Sequence, residues 1–262
     1  MSKEENIIYI DNHAHLNFDD FDSDREDVYF RMKENNVGAL VVGTKKENSY
    51  KAVELGQAQD NLWSIVGLHP VHTEEEVFDK DYYRELAKNN RCIGIGECGF
   101  DFYRVGPETK EVQEKAFRAQ IELALELDLP LMLHMRSGNG LNAYQESLKV
   151  LKEYGACKGE AHFFAGSLED LKDFLDLGFH ISFTGVITFA DQYKELIEAT
   201  PLERLLSETD SPYVAPVPYR GKRCEPVYVM EVIKKMAEIK NISFEQVSKV
   251  LLQNSKSLWS WE

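Results

Sequence analysis

Short apolar runs alternate along the chain with longer stretches whose apolar residues recur every three or four positions, the spacing of one helix face. The first run, Ile7-Ile8-Tyr9-Ile10, turns polar at Asp11-Asn12-His13-Ala14-His15. Its β-branched content and lack of alternation predict a strand buried on both faces. A polar loop over 17–22 follows, with Ser23 as the predicted N-cap of a helix running to Asn35. Residues 39–43 predict a second strand and 49–59 a helix. A third strand at 62–67 runs into Leu68-His69-Pro70-Val71-His72, and Thr73 with Glu76 reads as a capping box for the next helix. The fourth strand is predicted at 91–97, followed by a loop through Pro107 and a long helix over 108–126. A fifth strand at 129–134 precedes a helix at 143–154, and a shorter sixth at 158–162 precedes one at 167–177. Strands at 180–183 and 205–210, then helices at 227–239 and 244–258, complete the pattern.

Eight strand candidates alternating with helices predict an α/β protein, specifically a (β/α)8 TIM barrel in a single domain over 1–262. An open doubly wound sheet is the alternative, but no Gly-rich fingerprint follows the first strand. No linker, low-complexity segment or internal repeat divides the chain.

In such a barrel the chemistry sits at the C-terminal strand ends. Those ends carry His13 and His15, then His69, Glu97, His134, His162, and Glu208 with Asp210; five of the seven histidines fall there. Residues i and i+2 of a strand point the same way, so His13 and His15 project side by side, as one metal ion requires of two ligands. A histidine pair capping a buried strand with ordinary hydrogen bonds is the competing reading. Glu97 follows Ile93-Gly-Ile-Gly96, where an unpaired carboxylate would be costly to bury; a salt bridge to a nearby arginine is its alternative. His134 has a satisfied core histidine as its alternative, His162 rests on the weaker sixth strand, and Asp210 has a helix or turn cap as its alternative. His72 and His180 are read as structural. Four histidines and two carboxylates exceed what one ion with open positions needs. Two ions sharing Glu97 use them well: His13, His15, Glu97 and Asp210 on one, Glu97, His134 and His162 on the other. Such nitrogen and oxygen donors suit Zn²⁺, Mn²⁺ or Mg²⁺.

Composition changes this picture little. With 43% hydrophobic and 29% charged residues in 262, the chain can bury one large core. No apolar stretch approaches the ~18 residues of a membrane span, and Met1 to Asn6 carry no signal-peptide pattern, so a soluble cytoplasmic protein with no membrane partner is expected. Cys92, Cys98, Cys157 and Cys224 lack CxxC or zinc-finger spacing and are read as reduced thiols. The net charge of −15 argues against broad capture of nucleic acid. A polyanion held locally by metal ions and a few cations remains compatible with it.

The stretches Asp11-Asn-His-Ala-His15, Gly67-Leu-His-Pro70, Gly96-Glu-Cys-Gly-Phe-Asp101, Pro130-Leu-Met-Leu-His-Met-Arg136, His162-Phe-Phe-Ala-Gly166, Glu208-Thr-Asp-Ser-Pro212 and Arg220-Gly-Lys-Arg-Cys-Glu-Pro226 stand in order over nearly the whole chain. In this the chain resembles the TatD family of metal-dependent deoxyribonucleases, within the amidohydrolase-like barrels. The resemblance implies a barrel hydrolase that cuts DNA phosphodiesters with divalent metal, as a 3′ to 5′ exonuclease; the acidic composition points to short or single-stranded DNA with a free 3′ end as its substrate. It implies the same six ligands, His13, His15, Glu97, His134, His162 and Asp210, with Glu97 bridging and Asp210 also orienting or deprotonating the attacking water. His69, Arg136, Arg220 and Lys222 are the candidates for phosphate contacts, by charge and position; a solvated basic loop is the alternative for Arg220, Lys222 and Arg223. Three positions depart from the family pattern: Cys98, the spacing of His69-Pro-Val-His72, and Cys224, which puts that loop's substrate contact in doubt. Two other functions compete. One is an amidohydrolase-type enzyme for a small lactone, cyclic amide or phosphoester, although many such sites carry a carboxylated lysine where Glu97 stands. The other is a silent barrel serving as a binding module.

Overall fold

In the computed structural model, which describes residues 7–155 and 157–261, each predicted apolar run is a parallel strand. They are β1 (Tyr9–Ala14), β2 (Val37–Val42), β3 (Leu62–Val66), β4 (Cys92–Asp101), β5 (Leu131–Arg136), β6 (Gly159–Ala161), β7 (His180–Phe183) and β8 (Leu205–Ser207). They pair in chain order as one eight-stranded sheet. The helices are α1 (Arg25–Glu34), α2 (Lys46–Ala58), α3 (Lys80–Ala87), α4 (Lys110–Leu127), α5 (Ala143–Tyr154), α6 (Leu168–Asp176), α7 (Lys194–Ala199), α8 (Val229–Lys240) and α9 (Phe244–Trp259). The predicted single-domain (β/α)8 barrel is therefore the fold. Met1 to Asn6 lie outside the described residues.

Two apolar layers hold it together. The larger lies between strands and helices and takes in Val41, Phe117, Leu133, Phe183 and Leu251. The smaller fills the barrel, with Ile10, Leu40, Trp63, Ile65, Ile93, Met132 and Leu206 packed against Trp259 and Trp261 from the C-terminal end. Gly94 makes room for that floor: a Cβ there would come within 2.6 Å of the Trp259 ring.

The first and last strands meet largely through side chains. The Asp11 carboxylate accepts from the Thr209 N–H at 2.8 Å and the Thr209 hydroxyl at 2.5 Å, and Asn12 Nδ2 donates to Ser207 O at 3.0 Å. Beyond them Asp210 N–H donates to His13 O (2.9 Å) and His15 N–H to Ser211 O (2.8 Å). This seam brings residues 13, 15 and 210 to one mouth.

Several expectations are corrected. Ser23 is not the N-cap of α1: Arg25 donates to Leu16 O and Phe18 O, and the helix begins there after Asp24. Thr73 and Glu76 form no capping box. Thr73 closes a 3-10 turn on Pro70 O, Glu76 accepts from the Tyr83 hydroxyl, and Asp79 caps α3 through the Tyr82 N–H. β4 continues past Glu97 to Asp101, β8 stops at Ser207, and α7 was not foreseen.

Candidate metal centre

β1 carries His13 inward and His15 follows it, their Nε2 atoms 3.1 Å apart, as the two-residue strand period predicts. His15 Nδ1–H donates to Val42 O at 2.9 Å, so its Nε2 presents a lone pair to the mouth. His13 is fully buried and its Nδ1 has no hydrogen-bond partner. Glu97 comes from the middle of β4, and its Oε2 lies 3.5 Å from His13 Nε2 and 3.8 Å from His15 Nε2. Asp210 Oδ1 completes the group at 3.8 and 3.5 Å from the same two nitrogens. Tetrahedral donors ~2.1 Å from an ion stand about 3.4 Å from one another. The four atoms have the spacing and the chemistry of a nitrogen and oxygen cation site.

The other oxygen of Glu97 faces the opposite side of the mouth. Its Oε1 is 2.6 Å from His134 Nδ1, 3.4 Å from His69 Nε2 and 3.6 Å from His162 Nε2. Three groups of donors are thus close enough to share an ion: His13 with His15 and Glu97, His13 with His162 and Glu208, and His69 with Glu97 and His134. The six predicted ligands converge. The expected pairing of His134 with His162 is looser than their separate links to Glu97, their ring centroids standing 6.2 Å apart. His69 is drawn in more closely than a phosphate-contact role alone foresaw. Its Nδ1 accepts from the Val71 N–H at 3.1 Å, which leaves the proton on Nε2, directed at Glu97.

Two carboxylates that orient histidines went unassigned from sequence. Asp101, at the end of β4, lies 3.1 Å from His134 Nε2 through Oδ2. Glu208 holds His162 through one oxygen and accepts from the Phe163 N–H (2.7 Å) through the other. Phe163 adopts a left-handed conformation, φ 45°, uncommon for a large side chain. Carboxylates behind metal-binding histidines fix their tautomer and ring orientation. The signal for Asp101 was its place at a strand end, hidden because the strand outran its apolar stretch.

The electrostatics favour cations. Burial would raise the Glu97 carboxyl, but the facing His69, His13 and His134 outweigh it and hold it well below the usual range. Burial likewise opposes ionisation of Asp210, and His15, His162 and His13 overcome it. Asp101, despite its own burial, is held at about 2 by His134. Opposite these, burial and the charge of His134 lower His69 to about 4, leaving a neutral ring. Burial would lower His134 and His162, but Asp101 and Glu97 raise the first and Glu208 and Glu97 bring the second to about 10, so these imidazoliums balance the carboxylates and a bound cation would take their place by displacing the protons.

Arg136 at the end of β5, and Arg220 and Lys222 in the loop after β8, are exposed on the rim beside the mouth. Arg223 is not free in the same way: it donates to both Asp24 oxygens at 2.7 Å and to Glu225. His72 pairs with Glu75 near the surface and His180 opens β7, away from the mouth. The Cys224 thiol is buried, as is that of Cys98. The four cysteines are unpaired.

The comparisons with known proteins agree with this geometry. The family profile described as "TatD related DNase" matches residues 10–260. The metal-dependent hydrolase YabD of Bacillus subtilis, named as uncharacterized, is 37% identical over 95% of this chain and 98% of its own. A protein of Pantoea ananatis named "3'-5' ssDNA/RNA exonuclease TatD" is 34% identical over 91% of this chain and 94% of its own. The crystal structure of the TatD homologue YjjV from Escherichia coli K12 superposes with a TM-score of 0.88 at 26% identity, covering 98% of this chain and 99% of that one.

Proposed function

The chain belongs to the TatD family of metal-dependent hydrolases, and we propose that it is a cytoplasmic deoxyribonuclease removing nucleotides from the 3′ end of short or single-stranded DNA. The observation that carries this reading is Glu97, whose two oxygens face two separate sets of donors, His13 and His15 on one side and His134 and His162 on the other, with the Nε2–H of His69 beside the second. That arrangement suits two divalent ions sharing one carboxylate, with Asp210 completing the first set.

Divalent ions in such a site make a water acidic enough to ionise near neutral pH and offset the charge that builds on phosphoryl oxygens. The chain's own residues do the rest. Asp210 would accept the proton of the attacking water and aim its lone pair at phosphorus; the bond from phosphorus to the 3′ oxygen of the preceding nucleotide breaks, and that oxygen leaves as a hydroxyl with a proton taken from solvent. Glu208 and Asp101 hold His162 and His134 in orientation. His69, neutral with its proton on Nε2, donates to an oxygen at the mouth. Arg136, Arg220 and Lys222 hold flanking phosphates and fix the register of the strand. A smaller phosphoester, lactone or cyclic amide would leave those rim cations unused.

Metal-reconstituted protein assayed on 5′-labelled single-stranded DNA, beside a phosphotriester and a lactone, tests the reading. Stepwise shortening from the 3′ end that chelation abolishes is the expected result. Turnover of the lactone or triester with intact DNA would overturn it.

A further inference from the structure

Ten arginines occur in a chain of net charge −15. Six of them, Arg25, Arg31, Arg84, Arg91, Arg118 and Arg223, lie within 4.0 Å of a carboxylate oxygen. Among the described residues the other four, Arg104, Arg136, Arg204 and Arg220, have no such partner, and of these Arg136 and Arg220 stand on the rim of the mouth against aromatic rings. Each lies instead over an exposed aromatic ring: Arg136 Cζ is 4.3 Å from the centroid of Tyr103, and Arg220 Cζ is 3.9 Å from that of Phe189. The other arginines stacked on rings, Arg91, Arg118 and Arg223, also have a carboxylate close by. Tyr103 is 64% exposed and Phe189 43%, although burying either would be favourable. Both follow barrel strands, Tyr103 after β4 and Phe189 after β7, so they flank the donor cluster from different sides.

These rings are held in place. Asn139 Nδ2 donates to Phe102 O at 2.5 Å, securing the backbone beside Tyr103. The Thr188 hydroxyl donates to Gly185 O and accepts from the Val217 N–H at 2.9 Å, tying the Phe189 turn to the loop that carries Arg220. The guanidinium covers one face of each ring, so each pair offers a base the open side of the ring or the guanidinium plane itself, with a charge for its phosphate beside it.

We propose that Tyr103 with Arg136 and Phe189 with Arg220 are two base-stacking platforms for a single-stranded nucleic acid whose end lies at the metal centre. The proposal rests on the nuclease reading above and deepens it: the substrate is recognised through unpaired, splayed bases as well as through its phosphates. Stacking uses the π-face common to all four bases, so the platforms favour single strands with little sequence preference. A duplex, with its bases stacked on each other, cannot occupy them.

The test compares two oligonucleotides of equal length on the metal-reconstituted enzyme, one with normal bases and one with abasic tetrahydrofuran sites at the positions next to the 3′ end. Wild type should prefer the base-bearing strand, and the preference should reside in KM. Tyr103→Leu and Phe189→Leu, which keep apolar area and lose the π-face, should raise KM for the base-bearing strand by about fivefold to a hundredfold. The ratio between the two substrates should then collapse, and Tyr103→Phe should restore it. A 2-aminopurine placed at those positions should lose fluorescence on binding wild type and regain it in the leucine variants. If DNA is cleaved but the leucine variants keep the wild-type ratio, the platforms are refuted and the nuclease reading stands. If neither oligonucleotide is cleaved, that reading falls and the platforms with it.

Discussion

Glu97→Gln removes one charge and keeps the shape of the side chain, and it is the most informative single change at the mouth. The carboxylate it replaces belongs to two of the three donor groups. A unit charge ~4 Å from even a single positive charge is worth about 4 kcal/mol at an effective dielectric near 20, and from a divalent ion about twice that, so at least roughly a thousandfold in affinity is at stake. Both ions should therefore be weakened together, whereas Asp210→Asn, on one side only, should weaken one. The readout is metal content after gel filtration, with thermal melting before and after chelation. An ion present at a hundred times its dissociation constant adds about 2.7 kcal/mol to stability. For a chain of this length that is roughly 5–10 °C per ion. Chelation should lower the melting temperature of wild type by two such shifts, of Asp210→Asn by about one and of Glu97→Gln by almost none, and Glu97→Gln should have lost turnover. Wild-type metal content in Glu97→Gln, or full activity after chelation and refilling, would refute the shared-carboxylate reasoning.

Two further outcomes follow from the geometry. Glu208→Gln should leave the fold intact and raise the metal concentration needed for half-maximal activity by about ten- to a hundredfold, because His162 loses the 2.6 Å partner that orients it; an unchanged metal titration would count against that role. Burial, aided by the charge of Arg204, lowers His180 to about 4 from 6.5. Between those values the unfolded chain binds a proton that the folded one refuses, so stability falls as the pH drops through that window, by about 2 kcal/mol from pH 8 to pH 5. His180→Gln should flatten this part of the urea-midpoint profile, and an equal fall in both proteins would remove His180 as the cause.

Much of the site was legible because strand ends announce themselves. The sequence His13-Ala-His15 after an apolar run, Glu97 after Ile93-Gly-Ile-Gly96 and His134 after Leu131-Met-Leu133 each mark where burial stops and the mouth begins. His162 was harder, since β6 has only three residues before it. The parts that escaped depend on contacts distant in sequence. Asp101 lies beyond the glycines of Gly96-Glu-Cys-Gly99, which break the apolar pattern although the strand continues. Glu208 has no visible role until His162, 46 residues earlier, is placed against it. Arg220 and Arg223 look alike in one basic loop, and only the fold shows that Asp24 and Glu225 anchor the second. At Thr73 the local signal was real but the competition was not visible, because Pro70 offered its hydroxyl a nearer acceptor.

The same long-range contacts explain why the donors gather where the barrel closes. β1 and β8 are joined by the Asp11 carboxylate, Asn12, Ser207 and Thr209 as well as by their backbones. Asp11 is buried, and its acid is pushed up by that burial against the opposing bonds from Thr209. Its two oxygens are taken up by the Thr209 N–H, the Thr209 hydroxyl and the His13 N–H, so Asp11 bridges the strands and is not among the donors gathered at the mouth. The closure of the barrel and the concentration of charge at its mouth are thereby separated by one layer of side chains. A buried polar seam is costly when any partner is missing, so changes at Asp11 or Thr209 should act first on the distance between His13 and Asp210, and through it on the metal, before they act on the fold as a whole.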